Sequence, residues 1–176
     1  MRDHVTRLTS TCFVLRQIRC IRRNLARRAL AMLVTCFVFV RLDYCNATFI
    51  GLPHCDLNRI QAVQNAAVRL VAGASRFDYV TPLLRERHWL PVHLRVVYKM
   101  VVIVYKCLAA TSADYLTALT RPPVSTTTLR LRSADTRCLH SHLTRTGYGD
   151  RAFSVAGPRL WNSLPDCQIC IFVGYF

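Results

Sequence analysis

The carboxylates of this chain stand singly, at Asp3, Asp43, Asp56, Asp78, Glu86, Asp114, Asp135, Asp150 and Asp166. A polymerase or nuclease working with two metal ions needs clustered carboxylates to hold them, and no two of these acids are adjacent. The sequence therefore places no such active site within these residues. Gly73-Ala74-Ser75 lacks the glycine spacing and the Lys-Ser/Thr pair of a phosphate loop. Cys167-Gln168-Ile169-Cys170 has metal-ligand spacing, with Cys138, His140 and His142 upstream. That combination is not a standard zinc pattern, and free thiols with surface histidines are the competing reading. No local signature marks a Cys–His nucleophile pair, and no metal or cofactor is expected. His88-Trp89 could contact a phosphate and stack on a base; the alternative puts Trp89 in the core with His88 donating to a backbone carbonyl. Trp161 stands under the same two readings.

The chemistry the chain does carry is cationic. Its net charge is +15, and 22 of its 24 basic residues are arginine, a balance that points to polyanions: RNA, DNA or an anionic membrane surface. Arginine favours nucleic acid, because a guanidinium forks onto phosphate and also stacks on bases. The candidate contacts are Arg16, Arg19, Arg22, Arg23 and Arg27, then Lys99 and Lys106, then Arg130 and Arg132.

The first of these groups lies on a basic amphipathic helix. Residues 1–28 hold eight arginines against one acid, Asp3, with Leu8, Cys12, Leu15, Ile18, Ile21 and Leu25 at helical spacing. Its cationic side is read as a solvated outer face, a phosphate-contacting face or a transit peptide. A second helix is expected from Asn24, as N-cap, to about Val40. A third runs from Leu57 to Ala72, capped by Asp56 and stopped by Gly73. Its core stripe is Leu57, Ile60, Val63, Ala67, Leu70 and Val71; Ala62 and Ala66 offer a face for close helix packing, while Arg59 and Arg69 point elsewhere.

Thr81-Pro82 starts a short helix that ends at the corner His88-Trp89-Leu90-Pro91. There Trp89 acts as a packing anchor and Pro91 fixes the chain's exit. After Pro91 about seventeen residues form a helix with Val92, Val96, Val97, Met100, Val101, Val104 and Leu108 on one side. A short helix capped by Ser112 follows. From Arg121-Pro122-Pro123 to Gly149 the chain turns polar and basic, which predicts an extended loop, until Phe153 and Trp161 return to the core.

The fold class is thus mainly α: an irregular domain of about five helices, with an extended basic loop and a disordered or short-element C-terminal part. The expected divisions are 1–120 helical, 121–165 extended and basic, and 166–176 a divergent tail. Ala29–Val40 is too short to span a membrane and Val96–Ala110 is interrupted by Lys99 and Lys106, so no stable membrane insertion is expected. Nine irregularly spaced cysteines fit reduced thiols in an intracellular protein, with nucleus and cytoplasm both open.

Several blocks in order carry a family resemblance. They are Leu15-Arg16-Gln17-Ile18-Arg19, Arg41-Leu42-Asp43-Tyr44-Cys45-Asn46, Gly51-Leu52-Pro53, the helix Leu57 to Val71, His88-Trp89-Leu90-Pro91, Gly149-Asp150-Arg151-Ala152-Phe153, and Pro158-Arg159-Leu160-Trp161-Asn162-Ser163-Leu164-Pro165. Over roughly residues 8–165 the chain resembles the C-terminal region of non-LTR (LINE-type, Jockey/chicken-repeat-like) retrotransposon reverse transcriptases. The resemblance implies a parent protein with an endonuclease and an RNA-directed DNA polymerase, this part being the thumb and post-thumb region after the palm. Its partners would be RNA or DNA backbone and the upstream palm and fingers. The family's Tyr/Phe-Ala-Asp-Asp motif is absent, so no catalytic residue carries over, and Mg²⁺ is expected only in the polymerase part. The family continues past Leu-Pro with a Phe-Lys-containing helix, whereas Cys167–Phe176 departs from that pattern, as a frameshift, a misplaced exon or a decayed copy would. The alternatives are a pseudogene-derived chain with structural content only, and a basic helical protein associated with an organelle or membrane.

Overall fold

The computed structural model describes residues 2–120, 139 and 141–164, which carry helices and no strand. In order these are α1 (Arg2–Thr9), α2 (Thr11–Ile21), α3 (Arg27–Val34), α4 (Val40–Asp43), α5 (His54–Ala72), α6 (Val80–Glu86), α7 (Val92–Leu108), α8 (Asp114–Thr120) and α9 (Phe153–Asn162). The fold is mainly α, with more and shorter helices than the five expected. The expected extended stretch from 121 to 138 lies outside the described residues, together with Arg130, Arg132, Cys138, His140 and the tail after Leu164. The chain forms two compact units that divide at Val96–Val97, inside α7.

In the first unit α5 is the central element. Its 19 residues give a rod about 28 Å long, against which α1, α2, α3 and α6 all pack. Ile60, Val63, Ala67 and Val71 are buried in this core with Val5, Leu8, Leu15, Ile18 and Phe49. The helix starts at His54, not at Leu57. Pro53 fixes its own φ at −55° and accepts from both Asp56 N and Leu57 N, so the turn closes on the proline carbonyl and needs no side-chain cap. Asp56 falls in the first turn, near Arg59 at 3.7 Å, where a carboxylate suits the helix dipole. The far end is as expected: Gly73 adopts φ 79° and its N–H donates to Arg69 O at 2.9 Å, a left-handed stop that glycine adopts without steric cost.

The helix expected from Asn24 to Val40 differs in both boundary and geometry. Asn24 ends a 3₁₀ turn, Arg22–Asn24, and α3 begins at Arg27 after an extended Ala26 without a side-chain cap. Between α3 and α4 the residues Thr35–Phe39 form a π-helical turn. Leu30, Val34, Val38 and Leu42 recur every four residues, and in an unbroken α-helix such a stripe drifts by about 40° per step. The wider π-turn absorbs the surplus, and all four side chains stay buried. The first-28 pattern also breaks: α1 and α2 meet at Ser10, and Ile21, expected on the apolar side, is exposed.

α6 begins at Val80 after Tyr79, so Thr81 and Pro82 lie in its first turn rather than at its cap. It ends at the Trp89 corner, which is built by backbone geometry. His88 takes φ 55°, its N–H donates to Arg85 O, and the Trp89 N–H donates to Leu84 O at 2.9 Å. His88 is exposed, so its contribution is this left-handed turn and not the expected ring-to-carbonyl bond. Trp89 is half-buried, its ring 4.0 Å from that of Phe39. Two α5 amides hold the corner. Gln64, fully buried, donates from Nε2 to Leu90 O at 2.7 Å, and Gln61 Oε1 accepts the Val92 N–H at 2.8 Å. Gln61 Nε2 in turn donates to Gln64 Oε1 and Asn65 Oδ1. Arg95 completes the wall: its guanidinium lies over Phe39 at 4.8 Å and meets Asp43 Oδ1 at 2.5 Å.

In the second unit Val101, Val104, Leu139 and Trp161 form the buried cluster, with Phe153 packed on it. Phe153 and Trp161 thus make this cluster and not the one beneath Trp89. Along α7 the buried stripe ends at Cys107 and leaves Leu108 exposed. Ser112 does not cap α8 with a backbone amide; its hydroxyl meets Thr117 Oγ1 and Cys107 Sγ. The Asn162 amide holds residue 139 from both sides, Oδ1 accepting from Leu139 N and Nδ2 donating to Leu139 O, each at 2.8 Å. A Cβ on Gly157 would lie 3.0 Å from Val104 Cγ2, so glycine sets how closely α9 approaches α7.

Two outcomes follow from these contacts. Gln64→Leu leaves Leu90 O with only its longer bond from Arg95 Nε at 3.3 Å and unpairs part of Gln61, so urea denaturation should show a loss of about 1–3 kcal/mol. Asp150 accepts from Thr144 Oγ1 at 2.5 Å and from Arg159 Nη1 at 2.7 Å; the Thr144 hydroxyl first, and Arg159 second, hold its carboxyl below the ordinary carboxylate value. A depressed folded value stabilises above the unfolded pKa, and that contribution is lost as pH falls through the folded one. Carboxyl-carbon NMR titration should find Asp150 ionising below the ordinary aspartate value, and Thr144→Val should move it upward.

Candidate nucleic-acid interface

The C-terminal ends of α2 and α5 come together in the first unit, and both ends carry arginine in their last turn, Arg19 and Arg69. Helix C-termini hold unpaired carbonyls and a partial negative charge, so they gather cations. Between them opens a groove of about 330 Å³. Its walls hold Arg16, Arg19 and Arg22 on one side and Arg69 and Arg76 on the other. Its floor is Leu15 and Leu70 with the small residues Ala66 and Ala74.

The floor is open because α5 presents small residues there. Ala62 and Ala66, expected as a close-packing face, are exposed instead, and Ala66 lines the groove. Two turns on, Gly73 leaves space that a side chain would fill: a Cβ there would sit 2.5 Å from Arg22 Nη2. The Arg22 guanidinium therefore lies against the glycine that ends α5. Arg69 reaches over the following loop, donating from Nη2 to Asp78 O at 3.2 Å, while its buried Nε has no protein partner among the described residues. The Asp78 carboxylate is turned to the Ser75 N–H at 2.6 Å and forms no ion pair with the groove. Arg76 lies over the ring of Phe77 at 4.9 Å, which steadies its guanidinium.

None of the five groove arginines is in an ion pair among the described residues; the pairs there are Arg59–Asp56, Arg95–Asp43 and Arg159–Asp150. Like charges converging in a concave wall without counter-charge repel one another and focus a positive field into the opening. With guanidinium forks as donors, the arrangement suits an oxyanion, above all phosphate.

Of the residues named from sequence, the structure brings together Arg16, Arg19 and Arg22. Arg23 and Arg27 are exposed but do not line the groove. Lys99 and Lys106 are exposed on α7 in the second unit, and Arg130 and Arg132 lie outside the described residues. Trp89 and Pro91 serve the corner, and Phe153 and Trp161 the second cluster. Sequence reasoning missed Arg69 and Arg76. The signal was the small face of α5, where Ala66, Arg69 and Gly73 recur at three and four residues and leave an arginine with room beside it. No three of His, Cys, Asp or Glu converge as a metal site among the described residues. No helix among them is long and apolar enough to cross a membrane.

Gly73→Ala should destabilise the chain by about 1 kcal/mol from its positive φ alone, with a further steric cost from Arg22. In an Arg22→Ala background that steric part disappears, so a double-mutant cycle by urea denaturation should return a coupling of about 0.5 kcal/mol. Comparison with protein-family models, curated proteins and solved structures finds no match to this chain.

Proposed function

We propose that this chain is a non-catalytic helical part of a retrotransposon RNA-directed DNA polymerase, and that it holds nucleic-acid backbone in the arginine groove. The observation that supports the reading is the convergence of Arg16, Arg19, Arg22, Arg69 and Arg76 on one groove without a carboxylate pairing them. Three of these fall in or beside the Leu15–Arg19 block of the family resemblance, and Arg69 falls in its longest block. Grip on phosphate by guanidinium groups is indifferent to base sequence and sensitive to salt, because each contact releases a condensed counterion. The polymerase chemistry belongs to the parent's palm, whose paired aspartates this chain lacks. What these residues supply is affinity and placement of the strand.

Fluorescence anisotropy with a single-stranded RNA measures both. Affinity should fall by about five- to ten-fold between about 50 and 200 mM salt if the groove neutralises two or so phosphates. Replacing exposed Arg19 or Arg76 with Gln should lower the salt slope by about one unit each, uniformly across RNA sequences. Salt-independent binding, or no binding by folded protein at low salt, overturns the reading.

A further inference from the structure

The groove has more positive charge than the interior of a strand can match. Its five arginines face the C-terminal ends of two helices, each equivalent to roughly −0.5 charge, so about four positive charges stay uncompensated. Taken as a sphere, a space of about 330 Å³ is about 9 Å across. A strand crossing it at one charge per about 3.4 Å or more places only two or so phosphates inside. A triphosphate ester concentrates two singly charged phosphates and a terminal one of about −1.5 to −2, which matches the excess. The lining points the same way. No aromatic side chain lines the groove, so it offers no aromatic platform on which a base could stack. Its apolar floor is small and shallow, while the donors sit around the rim: Arg16, Arg19 and Arg76 exposed, Arg22 and Arg69 half-buried.

We propose that the groove seats a compact polyphosphate, as carried at the 5′-triphosphate end of an RNA, in preference to the evenly spaced phosphates within a strand. This rests on the reading of the groove as a nucleic-acid interface and narrows it from backbone to strand end. The end would enter with its phosphates among the five guanidinium groups and its first base left outside, so the site selects the end and not its sequence.

The test uses the full chain and two RNA oligonucleotides of one sequence, one with a 5′-triphosphate and one with a 5′-hydroxyl. The triphosphate end should bind at least about ten-fold more tightly, since it adds two or more charge-assisted contacts. Arg19→Gln and Arg76→Gln should abolish that difference. Because both residues are exposed, thermal melting of these variants should match the parent, which separates a lost site from a lost fold. Equal affinity for the two RNAs, with salt dependence retained, overturns the end preference and leaves backbone binding standing. Failure of both RNAs to bind overturns both. Inorganic tripolyphosphate serves as the third probe: it should compete with the triphosphate RNA but bind more weakly. Equal or tighter binding of tripolyphosphate alone overturns the strand end as the source of the phosphate.

Discussion

Gln61 and Gln64 stand three residues apart on the longest helix and commit their amides to a corner more than twenty residues away in sequence. A buried glutamine is stable only if its donors and acceptors are met, and the unmatched carbonyl and amide of a chain reversal need partners just as strongly. Each solves the other's problem: Leu90 O and Val92 N receive the two side chains, and the Gln61–Gln64 bond orders both amides at once. Through that exchange α5 gains a fixed relation to the start of α7, and Trp89 is held against Phe39. The unit's other packing arrangements, with α1 and α2 on the same helix, share this frame. An apolar pair in place of the glutamines would keep the volume, leave the Val92 N–H without its acceptor and leave Leu90 O with only its bond from Arg95 Nε.

The same helix sets the groove at its other end. A folded chain gains nothing in stability from bringing like charges into one concavity, and mutual repulsion there opposes the fold. The two helix C-termini reduce the cost without cancelling it. Glycine at position 73 and alanines at 66 and 74 keep the floor low, so the guanidinium groups surround an opening and do not pack against a wall. Such a distribution has a physical rationale when an anion fills the opening, and a charge-neutral ring of glutamines would fold as well without that constraint.

Much of the helical content was legible because it depends on local rules. The Gly73 stop followed from one residue type at the end of a periodic run, and α7 matched its expected start and length because Pro91 and an unbroken apolar stripe define both. The Trp89 corner was legible as a packing point, but its left-handed His88 was not, since nothing in a histidine announces positive φ. The helix starts at His54, Arg27 and Val80 escaped because each rests on extended backbone and a main-chain carbonyl, where a cap-seeking reading looks for Asp, Asn or Thr. The groove was half legible. Arg16, Arg19 and Arg22 declared themselves by density, whereas Arg69 and Arg76 are ordinary single arginines until tertiary packing brings α5 beside α2. Arg23 and Arg27 share the density and miss the groove, because the 3₁₀ turn at 22–24 redirects the chain.

The π-turn at Thr35–Phe39 separates two properties that a regular helix ties together, the number of residues it contains and the direction in which its side chains face. With one residue taken up by a wider turn, a segment longer by one still delivers Val38 and Leu42 to the same neighbours as Leu30 and Val34. Such a segment can tolerate a change of length that would twist a strict α-helix out of register, and the trace of the change is a local bulge in place of a rebuilt core.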